Sequence, residues 1–223
     1  MVATIGEILP LAVGIAVSPI PIIATILMLM SPRARSTAVG FLTGWLGGIF
    51  VAVTVFTLLS AFLPQGEDDG SQAIRGVIYL VLGGLLLFVA VRQWKKRPRE
   101  GEQPELPKWM QAVDGMAFGQ ALGLAVLLAA VNPKNLVMSA SAGLAIGSAG
   151  LAPGTSAAVV VIFTVLAGAT VWIPVVAFLF ASDRFRAPLE TLRVWLVQQN
   201  STIMSILLLV LAVNLIGKGL GSF

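Results

Sequence analysis

The 223-residue chain contains no cysteine and no histidine. It therefore has no thiolate nucleophile, no thiolate or imidazole metal ligand, and no imidazole to move protons near neutral pH. Charge is scarce as well, with 11% of residues charged against 57% hydrophobic. Of the ten acidic residues, eight (Glu67, Asp68, Asp69, Glu100, Glu102, Glu105, Asp183 and Glu190) fall in polar connections, and Glu7 and Asp114 sit at the edges of apolar blocks. No acid–base pair or nucleophile constellation remains within those blocks, so the reading is a non-enzyme. Hard divalent cations want carboxylate oxygens and softer ones want His or Cys, so neither a metal nor a cofactor is expected. The pI of about 10.0 does not point to nucleic acid, because the basic residues are not gathered on one element.

What the chain has in abundance is long apolar sequence. Blocks at about 3–30, 37–63, 73–92, 114–149, 156–181 and 200–221 each reach or exceed the roughly 20 residues needed to cross a hydrocarbon core. These six segments leave almost nothing for a soluble domain. The first has no basic residue ahead of it and contains Pro10, Pro19 and Pro21, so it reads as a span rather than a signal peptide. The fold class expected is an all-α polytopic membrane protein with six transmembrane helices.

Basic residues fix the orientation. "RQWKKRPREGEQPELPK" (92–108) carries Arg92, Lys95, Lys96, Arg97, Arg99 and Lys108, and placing it inside also places Arg33, Arg35, Arg184, Arg186 and Arg193 inside. Eleven of the fourteen basic residues then share one side, while the acidic "QGEDDG" (65–70) lies on the other. By the positive-inside rule the protein sits in the cytoplasmic membrane with both termini outside.

An internal repeat is also legible. A shift of 114 positions lays "AVNPKNL" (130–136) over "AVSPIPI" (16–22), and a shift of 122 pairs Phe41 with Phe163 and "LLLFVAV" (85–91) with "LLLVLAV" (207–213). The expected organisation is a three-helix repeat at 1–92, a basic cytoplasmic linker at 93–113 and a second repeat at 114–223. Three spans is an odd number, so the second copy is inverted, as in many secondary transporters.

Proline lacks a backbone donor and pushes the preceding residue out of helical geometry, so helices 1 and 4 should break at Ser18-Pro19-Ile20-Pro21 and at Asn132-Pro133-Lys134. Pro10, Pro64, Pro153 and Pro174 read as plain kinks. Lys134 is the one charged side chain deep in an apolar block, where insertion costs about 3 kcal/mol. It must reach a carbonyl, a cavity or a ligand. Because it follows Pro133 at the electropositive start of a half-helix, an anionic group is the natural occupant. Asn132, Asn135, Ser139, Ser141, Ser18, Thr25 and Asn214 could add hydrogen bonds around it. The small-residue stretches "GWLGG" (44–48), "SASAGLAIGSAG" (139–150) and "LAGA" (166–169) read as close packing first.

Six spans, a Pro-x-Pro in the first, a basic linker after the third and an Asn-Pro-Lys opening the fourth resemble the lysine-exporter (LysE) superfamily. Within it, "SPIPIIATILMLMSPRARSTAVGFLTGWLGG" (18–48) is most similar to the actinobacterial branch that addresses glycopeptidolipids and sulfolipids to the cell surface. The amino-acid exporters usually carry Gly between the two prolines, where this chain has Ile20. The resemblance implies site residues at Pro19, Pro21, Asn132, Pro133 and Lys134, and a homodimer.

Three functions follow. The leading one is an exporter or flippase for an anionic lipid or lipid-linked headgroup, with membrane lipids as partners. An exporter of amino acids or other small solutes is the first alternative. A non-transporting accessory protein of a lipid-export complex is the second, kept open by "DRFRAPLETLRVWLVQQ" (183–199), whose Phe185, Leu189, Leu192 and Trp195 share a face suited to an anionic inner leaflet or a partner. Cysteines introduced at Asp69 and Gly101 should label from opposite sides of the membrane, outside and inside respectively; labelling of both from one side would remove the inverted repeat.

Overall fold

Apolar runs of this length can satisfy their backbone away from water only by bonding it within helices. The structure, a computed structural model, describes residues 1–63, 69–95, 97, 113, 115–180 and 186–223. Among them every regular element is helical: α1 (Val2–Ala16), α2 (Pro19–Met30), α3 (Ala34–Leu59), α4 (Asp69–Lys95), α5 (Phe118–Val126), α6 (Pro133–Gly147), α7 (Pro153–Ala167), α8 (Ala169–Phe180) and α9 (Arg186–Leu220). A 3-10 turn (Ser60–Phe62) closes α3, and α5 runs on into a π turn (Leu127–Val131). Pro64, the acidic residues 67 and 68, most of the 93–113 linker, Asp114 and residues 183–185 lie outside the described residues.

Three helical stretches are long and apolar enough to cross a membrane alone: Ala34–Phe62, Gly70–Lys95 and Pro188–Leu220. The others form bent pairs, α1/α2 at 53°, α5/α6 at 62° and α7/α8 at 69°, which raise the count to six if each pair is one span. Large apolar side chains cover the perimeter, among them Leu58, Phe88 and Val210, all more than half exposed. Water would reject such a surface, whereas lipid accepts it. The protein is a helical membrane protein.

The breaks fall where proline dictates, with one addition. Ser18 and Asn132 are extended, at ψ 115° and 121°, and each is followed by proline as the first residue of a new helix. The third bend, at Gly168, has no proline. Pro174 lies inside an unbroken α8 and Pro10 inside an unbroken α1, while Pro153 opens α7 instead of kinking it.

Glycine sets how closely the helices approach. Gly40, Gly44 and Gly48 line one face of α3 against α5 and its π turn. A Cβ at Gly40 would lie 2.6 Å from the Phe118 carbonyl, one at Gly48 2.8 Å from Ala129 Cβ, and one at Gly44 would collide with the Leu122 carbonyl. Further on, α3 meets Gly143 of α6 through Phe56, and its Leu46 fills the space beside Gly168. All three small-residue stretches read from the sequence make close approaches. The α4–α9 pair is built the same way, with Gly76 and Gly219 each set against the other's carbonyl.

The described part of 183–199 is not a separate surface helix. It forms the first turns of α9, whose 35 residues extend about 52 Å, some 20 Å more than a hydrocarbon core requires. Leu196 packs into Ile23 and Ile26 of α2, while Leu192 and Trp195 are exposed and Arg193 pairs with Glu190. Helical hydrogen bonding simply continues through Gln198, Gln199 and Asn200.

A β-branched side chain at Gly44 has nowhere to go. Gly44→Val should destabilise the purified protein by about 1–3 kcal/mol, whereas Gly47→Ala on the open side of the same helix should change stability by less than about 0.5 kcal/mol. Thermal unfolding in detergent measures both, and equal effects would deny the close α3–α5 approach.

Candidate functional site

A helix that ends inside a protein leaves its last four carbonyls without intrahelical donors. At the end of α1 all four are accounted for. The Val13 carbonyl accepts the Val17 N–H at 2.9 Å, and the Ile15 carbonyl, deprived of a donor by Pro19, accepts the Ser18 N–H at 3.3 Å. The Gly14 carbonyl accepts Nζ of Lys134 on α6 at 2.9 Å, and the Ala16 carbonyl accepts Oγ1 of Thr170 on α8 at 2.6 Å. Residues beside all three bends thus converge on one helix end.

Lys134 is 4% exposed. Of the three destinations open to it, it reaches a carbonyl. A cation at a helix C-terminus gains up to about 2 kcal/mol from the aligned peptide dipoles, less than the roughly 3 kcal/mol of bringing it into the bilayer. One hydrogen bond also uses one of three ammonium donors. Lys134 is therefore held but not saturated, and no acid contacts it among the described residues.

The rest of the opening turn of α6 is equally specific. Asn132 Oδ1 accepts the Lys134 backbone N–H at 3.0 Å, an N-cap made by side chain. Asn135 Nδ2 donates to the Leu128 carbonyl at 2.9 Å, tying α6 back to the half-helix before the bend. Asn135 Oδ1 and Ser139 Oγ, in residues each 1% exposed, have no partner among the described residues. Pro133 and Val131 are exposed on the perimeter directly beside buried Lys134.

On the other side, Ser18 is 3% exposed with its hydroxyl 3.9 Å from the Met204 sulfur, and Pro19 and Pro21 are buried at the start of α2. Thr25 and Ser141 are spent on their own helices, bonding the Pro21 and Val137 carbonyls. Asn214 is exposed on α9, three residues after Leu211, whose side chain stands beside Gly14. A separate open concavity, lined by residues 30–36 including Arg33 and Arg35, shares no residue with the buried cluster.

Sequence reasoning missed Gly14 and Thr170. A signal existed for the first, since a glycine one turn before a proline break lets partners reach a freed carbonyl. A Cβ at Gly14 would stand 2.6 Å from Leu211 Cδ1 and 3.0 Å from Met138 Cε. For Thr170 there was none, because a hydroxyl in an apolar helix ordinarily bonds its own backbone.

Compared with known proteins, residues 8–221 match the model of the family SfLAP, described as Sap, sulfolipid-1-addressing protein. No curated protein and no solved structure matches the chain significantly.

The clasp between α8 and α1 can be tested alone. Thr170→Val orphans the Ala16 carbonyl and should lower stability by about 1–3 kcal/mol, with Thr170→Ser restoring most of it. Denaturant unfolding reads the difference, and a valine variant as stable as the parent would reject the contact.

Proposed function

We propose, for a chain that belongs to the SfLAP family of sulfolipid-1-addressing proteins, that it is an exporter or flippase moving an anionic lipid or lipid-linked headgroup outward across the cytoplasmic membrane. The observation that carries this reading is the Lys134–Gly14 contact, a buried, under-satisfied cation joining the two proline breaks. In this reading the three bent pairs are spans, giving six with both termini outside, and residues 1–92 and 114–223 are inverted repeats. The matched build of the breaks supports the repeat: extended residues 18 and 132, each followed by proline, differ by 114 positions.

The headgroup's anionic oxygen meets the Lys134 ammonium and the N-terminal turn of α6 at Asn132, Pro133 and Asn135, with Ser139 one turn deeper, and Ser18, Pro19 and Pro21 form the break that follows the Gly14 end of α1. Taking Lys134 from the Gly14 carbonyl removes a cap from α1, so binding loosens the contact that holds the two half-helix ends together. Acyl chains stay in the bilayer. Exposed Val131 and Pro133, beside Lys134, mark the α5–α6 bend as the sideways entrance. Membrane lipids are its partners, and a second copy of the chain is the expected oligomeric one.

Reconstituted in liposomes carrying a fluorescent sulfated glycolipid, the purified protein should equilibrate the lipid between leaflets. Lys134→Met should abolish this while the protein still unfolds cooperatively, and Lys134→Arg should retain part of it, because charge survives in a different shape. Absence of transport by the folded parent would favour an accessory role. Transport of free amino acids undiminished by Lys134→Met would overturn both the substrate and the role of the lysine.

A further inference from the structure

Two antiparallel helices lying side by side advance at the same rise per residue, so the numbers of the residues that meet add to a constant. For α1 and α9 that constant is 225 at two separate meetings. Gly14 meets Leu211, whose Cδ1 would lie 2.6 Å from a Cβ on the glycine, and Glu7 meets Lys218, whose Nζ donates to Oε1 at 2.8 Å. Residues seven apart share a helix face and stand about 10 Å apart along the axis. One seam between α1 and α9 therefore runs from Gly14, whose carbonyl holds Lys134, to the Lys218 ammonium two turns further on.

Asn214 belongs to this seam by position, three residues after Leu211 and four before Lys218. It is exposed in the middle of an apolar span and makes no hydrogen bond among the described residues. Packing does not require it, because the neighbouring Ala212 and Leu215 fill the buried side of α9. A polar side chain at such a place is costly unless something polar comes to it.

Lys218 is held from two sides. Its ammonium stands 2.8 Å from the Glu7 carboxylate and 5.7 Å from the centroid of the Tyr79 ring on α4. Tyr79 is 8% exposed and packed in the core, whereas the Glu7 side chain is 37% exposed and free to turn to water. The ring keeps the ammonium in place when the carboxylate leaves, so one anion can replace another without moving the cation. The two lysines differ in this respect: Lys134 bonds a neutral carbonyl and is open to an anion, while Lys218 already carries one.

We propose that Lys218 is a second anion-binding station and the α1–α9 seam the outward exit for the headgroup, which passes from Lys134 along Asn214 and displaces Glu7 from Lys218. The route rests on the lipid-export reading, under which this end of α1 and α9 is the outer one. Glu7 is then a latch that occupies the station between passages and ties the first segment to the last.

Tyr79 is the only tyrosine in the chain, so biosynthetic fluorotyrosine gives the full-length protein in detergent one fluorine resonance, from the ring beside Lys218. Titration with dihexanoyl phosphatidylglycerol should shift it saturably, and dihexanoyl phosphatidylcholine should not. Glu7→Gln removes the competing carboxylate and should lower the half-saturating concentration about fivefold, the upper worth of a partly exposed ion pair. Lys218→Met should abolish the shift, Lys218→Arg should retain it, and Lys134→Met should leave it in place. If Lys218→Met does not fold, Glu7→Gln decides alone, because a pair that merely clasps two helices gives no tighter binding when the carboxylate is removed. Equal response to both lipids, a shift that survives Lys218→Met, or no tightening in Glu7→Gln overturns the proposal. The resonance reports anion binding whether or not lipid is transported, which the liposome assay decides separately.

Discussion

The last turn of α1 ends inside the bundle with four carbonyl oxygens to satisfy and only two local donors, and the remainder of the site is organised by that deficit. Pro19 creates it by withholding an N–H and turning Ser18 into extended geometry. Lys134 and Thr170 make it good from two other segments. Each of those residues stands just beyond a bend of its own, so the three bends are tied together through one helix end. An unbroken α1 would need neither residue, and then a lysine at that depth would have no reason to be tolerated.

Around this junction the packing is unusually intimate for helices that also face lipid. α3 serves as the spine, its glycine face carrying α5 and the π turn and its later turns carrying α6. Lipid supplies no hydrophobic drive for helix association, so close approach through small residues takes its place. α3 can hold bent partners on both sides because no proline interrupts its 26-residue hydrogen-bonded ladder. Rigidity and irregularity are thereby assigned to different helices, with α3, α4 and α9 as frame and the bent pairs as the chemical interior.

Much of this was written plainly in the residues. Span positions follow from apolar length, and the breaks at 18–19 and 132–133 follow from proline, whose effect on the backbone is local. The third bend was not legible, since Gly168 in an apolar helix usually marks packing, and here it does both. Lys134 announced that it needed a partner but not which one, because a carbonyl is present at every residue and only the tertiary arrangement selects Gly14. For Asn214 the gap is of another kind: an apolar helix with a polar side chain gives no sign of which way that side chain faces, and here it is exposed. The run at 198–200 looked like the edge of a span because its residues are polar, yet nothing in Gln or Asn prevents helical bonding.

The contacts that complete α1 come from residues 120 and 154 positions later in the chain. During synthesis the first segment reaches the membrane long before Lys134 or Thr170 exists, carrying carbonyls that lipid cannot solvate. It must wait beside water, the insertion machinery or a provisional partner until α6 and α8 arrive. The order of translation is therefore the reverse of the order of need, and α1 is finished only once α6 and α8 have been made.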